Sequence, residues 1–496
     1  MQYGHVIRRR RRPLSIDSDG RSGLSRRDFL KLTGAGAGAL AIGDYGLAHA
    51  TGLASPAGGV TRGYTLEPGP ARFNLGGRHI QTIAYNQVLP GPMIRAKRGE
   101  RLQVVVNNHL KSDTSVHWHG IPIINKMDGV PGVTQAPIAA GAGFVYDFPI
   151  KVSGTYWYHS HNEIQLDRGL YGPLIIDEPN ETISYDRESI LAFDDWHDLK
   201  RAAGSSFQND AYYCDLKGMH DDLSGGNMAP AQPARYPLHL VNGRPPGTPT
   251  EIAVKRGDVI RLRLINAAAG TVYRIALEGH RMRVTHTDGL PVKPVDVDTL
   301  DIGMAERYDV LVYANNPGVW QLAAEVNGEG VRTRAVLRYA GHHSKAPAPR
   351  FKPKSLNGKL LDYTMLNAAQ GLAVPPSGKP DLTVPITLNN RFGSFWMTYN
   401  GTIPDASKPL HIPLGTHVRF LVSNSGSTEP HPIHLHGHSF RLSTGSHGGP
   451  MKDTAIIQPF HTWHYDWVAD NPGLWMFHCH NLYHMLAGMM IILDVS

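Results

Sequence analysis

The chain repeats itself, and the repeat limits what it can fold into. PMIRAKRGERLQVVVNN (92–108), TEIAVKRGDVIRLRLIN (250–266) and PLHIPLGTHVRFLVSNS (409–425) share one pattern: an apolar strand, a glycine turn, then an alternating strand. Their glycines, Gly99, Gly257 and Gly415, are equally spaced. A unit of this size is a domain, so 496 residues divide into about three. With 53 Gly and 36 Pro among short β-branched runs, the pattern implies an all-β architecture of sandwiches or barrels.

A second element closes each unit. GTYWYHSH begins at Gly154, GVWQLAAE at Gly318 and GLWMFHCH at Gly473. Aligned on these glycines, His159 and His161 of the first unit correspond to Ala323 and Glu325 of the second and to His478 and His480 of the third. An earlier element aligns likewise: His117 and His119, then Ala276 and Glu278, then His434 and His436. Units one and three keep imidazoles where the middle unit has none. A metal site built from them belongs between units one and three, with unit two as spacer or scaffold. The expected domains are 51–180, 181–345 and 346–496, joined by linkers at 178–190 and 341–358. His342 and His343 in the second linker read as a solvated pair.

Residues 1–50 read as an export leader. Arg8 to Arg12 and SRRDFLK (25–31) precede an apolar run rich in Ala and Gly and a small-residue cleavage site at Ala48-His49-Ala50. The twin arginine resembles a Tat signal. About twelve weakly apolar residues are too few to span a bilayer, so no stable membrane anchor is expected. Cleavage after Ala50 would leave a mature protein that is periplasmic or secreted, with the Tat export machinery as a partner. The leader also explains the charge. It carries most of the formal +7, so the basic balance does not indicate nucleic-acid binding.

Two cysteines cannot make a disulfide framework. Cys214, in NDAYYCDLKG, reads as a free thiol with no assigned role. Cys479 lies in HCHNLYHMLAGMM, with His478, His480, His484 and Met489. A thiolate, an imidazole and a thioether need one more imidazole to make the His₂Cys-plus-axial-Met donor set of a blue-copper electron-transfer centre. Side chains alternate across a strand. If 474–480 is a strand, His478 and His480 point away from Cys479, and one short segment serves metal on two sides. Alone, the triplet also reads as a buried Cys between two surface histidines. Three upstream clusters argue against that: HWHG (His117, His119), HSH (His159, His161) and HPIHLHGH (His431, His434, His436, His438).

In order and internal spacing these clusters match the four copper-binding motifs of the multicopper oxidases, and the chain resembles that family from about residue 64 onward. The resemblance implies three consecutive cupredoxin-like Greek-key β-barrels and four copper ions. It implies a type 1 copper on His431, Cys479 and His484 with Met489 axial, and a type 2 copper on His117 and His434. It implies a type 3 pair, one copper on His119, His159 and His480, the other on His161, His436 and His478. Asp128, in MDGVPG, matches the acid kept beside the type 2 side, where it serves proton delivery; it also reads as a β-turn Asp-Gly. A second acid is missing: the positions that carry it in relatives hold Leu482 and Met485. His438 reads as a neighbour of the ligands, while His461 and His464 fit no motif.

The activity so implied is laccase-like: phenols or aromatic amines give up single electrons at the edge of His484, and O₂ is reduced by four electrons to water. The alternative is a cuprous oxidase. With 14 Met and no Met-rich run beyond Met219 and Met228, the chain gives that reading less support. A copper-free structural relative would have lost ligands, and none is lost here. A copper nitrite reductase would not need both the HSH and HCH pairs.

Overall fold

A computed structural model of the chain describes residues 51–54, 60–196, 236–326, 329–376, 378–391, 394–399, 401–402, 404, 408–443 and 448–496. The leader, Cys214, Met219 and Met228 lie outside these residues. No helix among the described residues is long and apolar enough to cross a membrane.

The structure is all-β, three cupredoxin-like barrels in sequence, each a pair of sheets. In the first, Thr51–Ala54, Val60–Leu66, Arg101–Asn107 and Gly143–Pro149 form one sheet, and Ile94–Lys97, Tyr171–Asp177, Gly154–His159 and His117–His119 the other. The second and third barrels each pair a six-stranded with a five-stranded sheet. The repeat is visible in the pairing. Val60–Leu66 runs parallel to Arg101–Asn107, Arg187–Trp196 to Val259–Asn266, and Leu382–Arg391 to His417–Gly426.

The three equally spaced glycines do one local job. Glu100 N, Asp258 N and Thr416 N donate to Lys97 O, Lys255 O and Pro413 O, closing three four-residue turns. The third residue of each turn is the glycine, with φ of 95°, 94° and 86°. A positive φ there makes a type II turn, which an L side chain strains.

Burial places the site. The first and third barrels share one continuous apolar core, running from Tyr64 and Trp118 through Phe477 to Val495. The middle barrel has its own, centred on residues such as Leu262, Ile275, Val310 and Leu337. The two barrels that carry the motif histidines therefore share one core.

Candidate metal centre

Strand register sets the imidazoles. His117 stands opposite His159 where His117–His119 pairs with Gly154–His159. His434 stands opposite His478 where His431–Leu435 pairs with Gly473–Cys479. Two short strand pairs, one from each outer barrel, thus bring eight imidazoles together. Ring centroids lie 4.9 Å apart for His119–His480, 5.3 Å for His159–His480 and 5.9 Å for His117–His434. His161, His436 and His478 each bring a ring nitrogen within 4.8 Å of the other two. The crowding is such that His117, His434 and His436 do so as well, and so do His117, His119 and His159.

Four of the rings are oriented by their other nitrogen, each against a backbone carbonyl. His117 Nδ1 lies 2.7 Å from Asp128 O, His159 Nδ1 2.9 Å from Ser160 O, His434 Nδ1 2.8 Å from Asp453 O and His478 Nδ1 2.9 Å from Cys479 O. A carbonyl only accepts, so each Nδ1 carries the proton and each Nε2 keeps a lone pair. The Nε2 atoms of His117, His159 and His434, Nδ1 of His119 and both ring nitrogens of His480 are buried without a hydrogen-bond partner. Buried polar atoms are rarely left so, and a group of unprotonated ring nitrogens converging in this way is a donor set suited to cations. His436 Nε2 and His478 Nε2 face each other at 3.0 Å. Burial first, and the neighbouring imidazoles next, push the pKa of His119, His161, His434 and His436 well below the ordinary value. His478 is pushed down to about 4, chiefly by burial. Neutral, oriented, partnerless imidazoles fit a cluster of cations.

The second donor set lies on the other face of the same strand. Cys479 Sγ is 3.6 Å from both His431 Nδ1 and His484 Nδ1, and those two nitrogens are 3.1 Å apart. The outer nitrogens are held: His431 Nε2 by Ser427 Oγ at 2.9 Å, and His484 Nε2 by Glu429 Oε2 at 3.4 Å. The strand ends at Cys479, and Asn481 caps the helical turn Leu482–Leu486 that carries His484. Met489 is fully buried, and its backbone is bonded to both Cys479 N and His484 O. Met490 belongs to the next strand and is half-buried. Burial pushes the Cys479 thiol up; a bound cation reverses this, since a coordinating thiol is deprotonated. The set fits copper by the softness of its donors.

Asp128 is buried, with Oδ2 2.9 Å from His436 Nδ1 and Oδ1 3.3 Å from His117 Nδ1. One carboxylate therefore touches an imidazole from each outer barrel. Leu482 and Met485 stand instead on a narrow pocket beside His159, His161, His478 and His480. His438 Nδ1 donates to the His436 carbonyl at 3.1 Å, its Nε2 lies 3.9 Å from Asp470, and the ring packs on Trp467 and Trp475. His342, His343, His461 and His464 join none of the donor groups found among the described residues.

Two carboxylates escape the motif reading. Asp453 lies 3.2 Å from His119 Nε2 and, through its carbonyl, holds His434. Its signal in the sequence is a charged pair, Lys452-Asp453, in the otherwise apolar run MKDTAII. Glu429, with its side chain 44% exposed, covers the outer nitrogen of His484, whose side chain is 5% exposed. Nothing in its spacing distinguishes it.

Models of the multicopper oxidase family match residues 70–181, 207–342 and 375–496. The chain belongs to the multicopper oxidase family. Among its relatives is multicopper oxidase MmcO of Mycobacterium tuberculosis, 42% identical over 89% of this chain and 88% of that protein. A copper resistance protein A homolog of Pseudomonas syringae pv. tomato is 28% identical over 94% of this chain and 98% of that one. Among solved structures, a laccase from Botrytis aclada superposes with a TM-score of 0.71 at 27% identity, covering 88% of each chain. Multicopper oxidases are oxidoreductases, and this chain is an enzyme of that class.

Proposed function

We propose that this chain is a laccase-like oxidase. It takes single electrons from a small phenol or aromatic amine at the His484 edge and reduces O₂ to water in the pocket between the outer barrels. The observation that carries the reading is the position of Cys479: its sulfur faces His431 and His484, while its covalent neighbours His478 and His480 face the eight-imidazole pocket. Electrons have a path of a few bonds from one donor set to the other. Four copper ions complete it: type 1 on His431, Cys479, His484 and Met489, type 2 on His117 and His434, and a type 3 pair on the remaining six. When bound, they supply the one-electron redox steps that no side chain here supplies.

The chain's own residues do the rest. Glu429, ionised and held low by its contact with His484, accepts a hydrogen bond from the O–H or N–H of the electron donor. Asp128, held between His117 and His436, hands protons to the pocket. Leu166, Leu482 and Met485 line the narrow approach to the type 3 imidazoles, an apolar wall that admits O₂ and offers no proton. Export through a Tat-type leader would place the enzyme in the periplasm or outside the cell.

Oxidation of Cu(I) is the second reading. The observation in its favour is Glu429, a half-exposed carboxylate on the outer nitrogen of His484 that would also hold a cation. Oxygen uptake by the mature, copper-loaded protein separates the two, with a methoxyphenol in one cell and Cu(I) in the other. Fast uptake with the phenol and background with Cu(I) is expected. The reverse makes the chain a cuprous oxidase.

A further inference from the structure

The middle barrel offers no imidazole to the pocket, yet it reaches it. Arg307, on the strand Arg307–Tyr313 of that barrel, is fully buried. Its Nη1 and Nη2 lie 2.8 and 2.6 Å from the two oxygens of Asp453, a two-pronged pairing. Two further donors are used: Nε donates to Thr155 O of the first barrel at 3.1 Å, and Nη1 to Ala305 O at 3.0 Å. One guanidinium therefore ties all three barrels. Asp288, also from the middle barrel, accepts from the backbone N–H of Asp453 and of Thr454 at 3.2 and 3.1 Å. Lys452 is locked beside them by Asp288 at 3.1 Å, Glu306 at 3.0 Å and Thr287 Oγ1 at 2.6 Å. All of these groups are buried.

The far side of the pairing faces the ligands. Asp453 Oδ1 accepts from His119 Nε2 at 3.2 Å, which leaves Nδ1 of that ring unprotonated and partnerless toward the pocket. The Asp453 carbonyl does the same for His434 through its Nδ1. Gly120, the glycine of HWHG, packs on the pair. A Cβ there would strike both Arg307 Nη2 and Asp453 Oδ2, and its φ of +85° already disfavours a side chain.

We propose that Arg307 is a positioning residue for the trinuclear pocket. Acting from the ligand-free barrel, it fixes Asp453, and Asp453 fixes the tautomer and direction of His119 and His434. The middle barrel is thus a working part of the centre, coupled to it by a buried ionic clamp. This inference rests on reading the eight imidazoles as a copper cluster.

The test compares Arg307→Met and Arg307→Lys with the parent protein after copper loading. Three signals are followed: the blue absorption of the Cys479 site, the type 2 electron paramagnetic resonance signal, and the near-ultraviolet band of the type 3 pair. Copper retention against a chelator is read alongside. Loss of an outer partner costs about 10–100-fold in metal affinity. Copper retention at the pocket should weaken by that order in Arg307→Met, so that the type 2 and type 3 signals are lost at lower chelator than in the parent while the blue band stays at the parent level. Arg307→Lys keeps the charge and loses the two-pronged grip, and should lie between. If Arg307→Met gives no folded protein, Arg307→Lys carries the comparison alone. Variants whose three signals match the parent, or fall in parallel, overturn the proposal. A parent without type 2 and type 3 signals overturns the copper-cluster reading instead.

Discussion

The end of the middle barrel and the ends of its two neighbours are built on one register and filled in two ways. His117 opposes His159 in the first barrel and His434 opposes His478 in the third. At the same place in the second, Ala276 opposes Ala323. The outer ends hold partnerless nitrogens. The middle end is plugged, since Ala276 and Ala323 form a small apolar cluster with Val331 and with Leu356 from the segment that leaves the barrel. The glutamates at the other ligand positions anchor that segment: Glu278 accepts from Lys354 N and Glu325 from Lys352 Nζ, both at 2.7 Å. An unfilled end would bury unpaired polar atoms or leave a void, and each is costly. One end offers its nitrogens to ions, the other is closed by the chain itself. The end without ligands is not empty; apolar side chains and two anchored glutamates fill it.

The comparison can be pressed by substitutions that make one end resemble the other. His117→Ala gives the first barrel the side chain of Ala276. Oxygen uptake should then drop to background, by more than about 100-fold, because a ligand loss exceeds what outer-partner losses cost. The type 2 signal should go with it, and uptake at the parent rate would remove His117 from the centre. Asp128→Asn keeps the shape that bridges His117 and His436 and removes the acid. Uptake should slow about 100-fold at unchanged copper content. Loss of copper in step with the rate would make Asp128 a holder of ligands rather than a proton source.

At the plugged end the effects move from rate to stability. Leu356→Ala should destabilise the protein by about 2–5 kcal/mol, as for other buried leucines. The copper spectra should not change, and equilibrium unfolding with copper bound reads both. Lys352→Ala removes a largely exposed partner of Glu325 and should cost under about 1 kcal/mol. A large effect there would mean that the charges, not the apolar plug, close this end.

How much of this was legible in the sequence follows from what leaves a period. The glycine turns repeat, and the repeat located strands on either side of each turn, the stripped middle unit and the gathering of imidazoles between barrels one and three. Cys479 between two histidines announced a strand used on both faces, and the structure runs that strand from Gly473 to Cys479. What stayed hidden is long-range and aperiodic. Arg307 and Asp453 are 146 residues apart and meet only because three barrels do. The segment 341–358 reads as a linker from its Pro and Lys content. Yet Leu356 is buried, and its pairing with a ligand-free barrel end becomes apparent only when Glu278 and Glu325 are asked what they bind. Glu429 reaches His484 across a loop whose spacing carries no signal.

Cys479→Ser, loaded with copper, is the most direct test of the central claim that one strand serves an electron-entry site on one face and an oxygen-reducing pocket on the other. The expected protein is folded and colourless near 600 nm (the blue band being the thiolate's), retains the type 2 signal, and takes up no oxygen with a phenol. A Cys479→Ser protein that stays blue and active would contradict the account.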